Sequence, residues 1–131
     1  MDWKLELVMV PVTDVDRAKA FYTDKIGFNA DHDHRVNDAL RFVQLTPPGS
    51  ACSIVIGIGL GEISDMQPGS VKALHLVVAD VREVRERLAA RGVELGEIEE
   101  HGKGIKFVHF QDPDGNSWAL QEMPWRTDVE A

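Results

Sequence analysis

The chain is written twice. LVMVPVTDVDRAKAFYTDKIGF (7–28) runs parallel to ALHLVVADVREVRERLAARGVEL (73–95), and RFVQLTPPGSACSIVI (41–56) to KFVHFQDPDGNSWALQ (106–121). The offset is 65 or 66 residues in both comparisons. Asp14 matches Asp80, Val15 matches Val81, Ala18 matches Val84 and Tyr22 matches Leu88, with Gly27 and Gly92 closing the two segments. A repeat at one period means that each copy is the same supersecondary unit, so whatever order of elements fits one copy must fit the other.

That order can be read residue by residue. Residues 4–12 are β-branched and apolar, as a strand requires, and Thr13 or Asp14 then supplies a helix N-cap. Val15, Ala18, Tyr22 and Ile26 form one apolar stripe at helical spacing, which Val81, Val84 and Leu88 repeat. Glu83 and Arg87 make an i,i+4 pair on the wet face. Gly27 and Gly92 sit where a left-handed C-cap is expected. Three strand-like runs follow each helix, at 28–36, 40–46 and 51–58 and again at 93–99, 105–111 and 117–122. PPGS and DPDGN join the last two runs of each copy, because Pro presets φ and Gly or Asn accepts a positive one. The plan is βαβββ twice: module one at 1–58, a turn-rich linker at 59–70, module two at 71–124 and a tail at 125–131.

Composition excludes more than it proposes. A formal charge of −8 leaves no basic face for nucleic acid or anionic membranes. No apolar run approaches the ~20 residues that span a bilayer. Cys52 is the only cysteine, so no intrachain disulfide exists and a reducing cytoplasmic home is expected. Its neighbours Ala51 and Ser53 offer no base, so it reads as a structural thiol. DPDGN is not a calcium loop: Pro113 and the prompt return to an apolar strand leave no twelve-residue loop and no closing bidentate Glu.

With DVDRAKAFYTDKIGF and FQDPDGNSWALQE at these places in a doubled βαβββ plan, the sequence resembles the vicinal oxygen chelate superfamily. That group holds glyoxalase I, the extradiol dioxygenases, the fosfomycin-modifying enzymes and the bleomycin-resistance proteins. The resemblance covers nearly the whole chain. It implies an α+β fold in which the two modules form a cupped mixed β-sheet with helices outside, often completed by a homodimer. It does not fix the reaction, since one fold hosts many chemistries.

In metal-dependent members of that family, each module gives one ligand from its first strand and one from its last. A His or Glu there holds a divalent ion that chelates neighbouring substrate oxygens. The family spacing, seven residues before the capping Asp, leads to Leu7 and Ala73; four residues after the turn Gly leads to Ala119, and the repeat offset to Ser53. None of these is a useful ligand for a divalent cation, so no metal is expected at the usual site. A divalent metal enters only through a relocated site.

Strand parity puts Leu7, Met9 and Pro11 on the cup side, with Ala73, His75, Val77, Ala119 and Gln121 in the second module. Leu7, Met9, Ser53, Ala73, His75, Ala119 and Gln121 are therefore the expected ligand-binding residues, in a mostly apolar cup. His75 is the candidate catalytic residue: a base, a hydrogen-bond donor or a displaced ligand on one reading, a satisfied partly buried imidazole on the other. His32 and His34 share one side of a charged strand, which reads as a solvated edge. His109 repeats Gln44, and Arg41 repeats Lys106; parity leaves their side of the sheet open. HGKG (101–104) lacks the spacing of a phosphate cradle and reads as a loop. Trp125 packs on the cup or a dimer partner, or belongs to a frayed end.

Two functions follow. One is a metal-independent, dimeric protein that binds a small, partly apolar or cationic compound. The other is a lyase or dioxygenase of the glyoxalase type, with a relocated site around His75, Gln121 and a histidine from 32, 34, 101 or 109. Metal-free lyase or isomerase chemistry with His75 as general base is a variant of the second.

Overall fold

A computed structural model describes residues 1–130. The elements run β1 (Leu7–Met9), α1 (Val15–Ala20), β2 (Asn29–Asn37), β3 (Leu40–Thr46), β4 (Ser53–Ile58), β5 (Leu74–Val77), α2 (Val81–Ala90), β6 (Glu99–Glu100), β7 (Lys106–Gln111) and β8 (Ser117–Glu122). They form two four-stranded sheets of identical plan, β1-β4-β3-β2 and β5-β8-β7-β6. In each, the first strand pairs parallel to the last and the rest pair antiparallel. The fold is α+β, two tandem βαβββ modules.

The repeated sequence features have the roles their chemistry predicts. Asp14 and Asp80 cap the two helices, each accepting a backbone N–H three residues on, at 3.1 Å. Glu83 meets Arg87 at 2.8 Å. Gly27 and Gly92 close the helical segments at φ 99° and 87°, where a side chain would be strained. Val15, Ala18 and Tyr22, with Val81 and Leu88, are buried against the sheets, each large apolar group contributing roughly 1.5–3 kcal/mol.

Three expected elements differ in extent. The helix expected over 15–26 is α-helical only to Ala20; Phe21–Ile26 continues as a π-helical turn, in which the Gly27 N–H reaches the Tyr22 carbonyl. The Thr23 hydroxyl bonds back to the Lys19 carbonyl at 2.8 Å, a competition that widens and bends helices. The strand expected at 4–12 is limited to Leu7–Met9, since Pro11 has no N–H to give a ladder. The run 93–99 contributes a single bridge, Leu95 to Phe110, before β6, with the Gly96 N–H on the His109 carbonyl. Inside 59–70 a short 3-10 turn, Gly61–Asp65, buries Ile63.

The chain divides into two compact units. The first is Met1–Val71 together with Asp112–Asn116, and the second is Lys72–Gln111 with the chain from Ser117 on. The DPDGN turn thus lies between β7 and β8 in sequence yet packs with the first unit. Its Asp112, 5% exposed, accepts from the Tyr22 hydroxyl at 2.8 Å and from the amides of Asp114 and Asn116. The Asn116 side chain donates to the Pro11 carbonyl at 2.9 Å and accepts the Val71 N–H at 3.1 Å. Asp112 spends its oxygens on N–H and O–H donors, as a turn-wiring residue does. In the same unit Arg41, 6% exposed, lies on the helix side, bonded to Asp33 at 2.8 and 3.0 Å and to Asp16 at 2.7 Å.

Candidate ligand-binding face

The site is built from strand parity. Paired residues share a face, and alternate residues oppose each other. In the second unit Leu74, Leu76, Val108, Phe110, Trp118 and Leu120 take the helix side, with the Phe110 and Trp118 rings stacked at 6.2 Å. Glu122 is also on that side, and its Oε1 accepts the Val81 N–H at 2.8 Å, which caps α2. The opposite face carries His75, Val77, Phe107, His109, Ala119 and Gln121.

Two rows cross that face. His75, Ala119 and His109 are register partners in one; Val77, Gln121, Phe107 and Glu99 in the next. Ala119 is fully buried between its two imidazoles. The Phe107 ring has His75 edge-on at 5.9 Å, His101 edge-on at 5.1 Å and His109 stacked at 6.5 Å. One carboxylate, Glu99, meets His109 Nδ1 at 3.1 Å and His101 Nε2 at 3.4 Å. His75 Nδ1 lies 2.7 Å from the Ala73 carbonyl. A carbonyl only accepts, so Nδ1 is the donor in this contact.

In the first unit the corresponding face carries Leu7, Met9, Phe42, Gln44, Ser53 and Val55. Leu7 pairs with Ser53, and Met9 with Val55. Ser53 is 4% exposed, with its hydroxyl 3.1 Å from Gln44 Nε2 and 2.7 Å from the Thr46 hydroxyl, which also bonds Asp31. His32 and His34 pair with Gln44 and Phe42 on β2, an exposed end strand.

The register changes the place of two expected residues. Leu7 stands opposite Ser53, as counting predicts, but the residue opposite Ala119 is His75, not Ala73. Ala73 precedes β5 in a left-handed conformation, φ 59°, with its N–H on the Ser117 hydroxyl at 2.8 Å. The cause is loop length. Val10 N–H bonds the Val55 carbonyl and Val78 N–H the Gln121 carbonyl, so 121 − 55 is 66 but 78 − 10 is 68. Module two is two residues shorter between strand and helix, and a count back from Asp80 overshoots the strand by the same two. The four facing positions are therefore Leu7, Ser53, His75 and Ala119.

Phe107 and Glu99 complete the cluster and were not among the expected site residues. The alternation of KFVHFQ puts Phe107 with His109, but only pairing with β8 shows which side that is. The structure also places Arg41 and Lys106 on the helix side, Lys106 at 3.8 Å from Glu122. Gln44 and His109 each line the helix-free face of their own sheet. The loop 101–104 is exposed, as is Trp125 at 57%. Among the described residues no three His, Cys, Asp or Glu side chains are grouped so as to hold a metal ion. No helix among them is long and apolar enough to cross a membrane.

The family model of the Glyoxalase/Bleomycin resistance protein/Dioxygenase superfamily matches residues 4–120. The chain belongs to this superfamily. It is 32% identical over 119 residues to the uncharacterized protein YetH of Bacillus subtilis (strain 168), spanning 88% of this chain and 94% of that one. Among solved structures it is similar to TnmS3, an antibiotic binding protein from Streptomyces sp. CB03234. That match has a TM-score of 0.81 and 31% identity, covering 93% of this chain and 97% of TnmS3. A superfamily member from Sphaerobacter thermophilus DSM 20745 matches at TM-score 0.78 and 27% identity, covering 92% of this chain and 98% of that one.

Proposed function

We propose that this superfamily member is a cytoplasmic, homodimeric binding protein that holds a small, partly apolar or cationic compound on the helix-free face of its second sheet, without a metal ion. The observation that carries this reading is the half-buried Phe107 ring, flanked by the exposed imidazoles of His75, His101 and His109. Aromatic and imidazole rings open to solvent on one sheet face supply stacking surface for a ligand. Of the four facing positions only His75 carries a metal donor, and one imidazole does not hold a divalent ion by itself. The acidic balance of −8 favours a cationic or neutral ligand over an anion. The likeness to an antibiotic binding protein supports binding in place of turnover. The single cysteine fits a reducing compartment.

The test is elemental analysis of protein purified without chelator or affinity tag, followed by a thermal-shift screen of aromatic and cationic compounds. Substoichiometric metal and a raised melting point with some of these compounds are the expected results. Near-stoichiometric Ni, Zn, Fe or Mn that is lost on His75→Ala would overturn the reading in favour of a metal-dependent lyase or dioxygenase.

A further inference from the structure

A chain of polar side chains crosses the helix-free face of the first sheet. Asp31 is the extra residue of a β-bulge in β2, set between Ala30 opposite Leu45 and His32 opposite Gln44. Bulges re-aim side chains, and here the Asp31 carboxylate meets the Thr46 hydroxyl. The Thr46 hydroxyl lies 2.7 Å from that of Ser53, which in turn lies 3.1 Å from Gln44 Nε2.

The direction of each bond follows from the end of the chain. An ionised carboxylate only accepts, so Thr46 gives its one proton to Asp31. Thr46 can then only accept from Ser53, which spends its own proton there. Ser53 can in turn only accept from Gln44, so the amide atom beside it must be nitrogen. The Gln44 amide is therefore fixed against turning over, and its oxygen is the end kept off Ser53. Among the described residues nothing donates to Gln44 Oε1, and no buried side-chain nitrogen or oxygen lacks a partner, so Oε1 is reached by solvent.

We propose that this fixed oxygen is the acceptor of a second binding site, on the first sheet, for an apolar compound carrying an N–H or O–H donor, with Asp31 as its positioning residue. Leu7, Met9 and Phe42 are half-buried on the same face and supply the apolar contact. A compound without a donor would cover Oε1 and leave it unpaired, which sets the preference. The site does not depend on the Phe107 face.

The test is an NMR titration that follows the Gln44 side-chain N–H and Met9 methyl signals. The probes are N-methylbenzamide and methyl benzoate, which have nearly the same shape with and without an N–H. Wild type is expected to bind N-methylbenzamide about tenfold tighter. Asp31→Asn puts a group that can also donate at the end of the chain, and Thr46→Val cuts it, so each brings the two affinities close to equal. Thr46→Ser keeps the hydroxyl and keeps the preference. A merely structural role for Asp31 would weaken both probes alike and leave their ratio unchanged. Equal affinities in wild type, or no movement of either signal with N-methylbenzamide, overturns the site. A preference that survives both Asp31→Asn and Thr46→Val overturns the positioning role.

Discussion

Arg41 and Tyr22 show what a single buried polar side chain does in the first unit. Arg41 is 6% exposed, and among the described residues its guanidinium is satisfied by Asp33 and Asp16. Removing the charge of Asp33 leaves a buried cation short of a partner. Asp33→Asn is expected to cost about 1–3 kcal/mol in urea unfolding at neutral pH. The bonds from Arg41 first, and from Lys19 second, hold the Asp33 carboxyl well below its ordinary 3.8. A carboxylate with a lowered folded pKa stabilises the fold fully above its unfolded value, and that contribution is lost as pH falls through the folded one. Wild type is therefore expected to lose more stability than Asp33→Asn between about pH 5 and pH 2.5. Equal losses in the two proteins would contradict this role. Tyr22→Phe deprives Asp112 of a buried donor, with an expected cost of about 1–2 kcal/mol by the same measurement. The apolar stripe around Tyr22 could be read from the sequence. The partners could not: Asp112 lies 90 residues away, and no periodicity links them.

At the scale of elements, the repeat made the order βαβββ legible, along with both N-caps, both C-cap glycines and the turns. These signals are local, carried by side chains within four residues of the backbone they fix. What was illegible depends on pairing between distant strands. The two-residue difference in strand-to-helix connection moved the facing position from Ala73 to His75, and a count along one chain cannot see it. The face of Phe107 and His109 has the same origin, since only β8 fixes it. Glu122 is a further case, since the Val81 N–H that it accepts, capping α2, lies 41 residues away. Glu122→Ala is expected to destabilise the protein by about 1 kcal/mol, with amide exchange in the first turn of α2 accelerating more than elsewhere. Uniform exchange rates along α2 would contradict the cap.

On the scale of the whole molecule, this superfamily fold pairs Leu7 with Ser53 in one sheet and His75 with Ala119 in the other, and three imidazoles surround Phe107. The central proposal is that ligands bind on that aromatic face without a metal. The decisive measurement is isothermal titration of the compound giving the largest thermal shift, into wild type and Phe107→Ala, each with and without excess EDTA. The claim predicts an unchanged dissociation constant in EDTA for wild type, and about tenfold weaker binding in Phe107→Ala from the lost stacking surface. Binding that disappears in EDTA and returns with added divalent metal, or that is indifferent to Phe107→Ala, would contradict it.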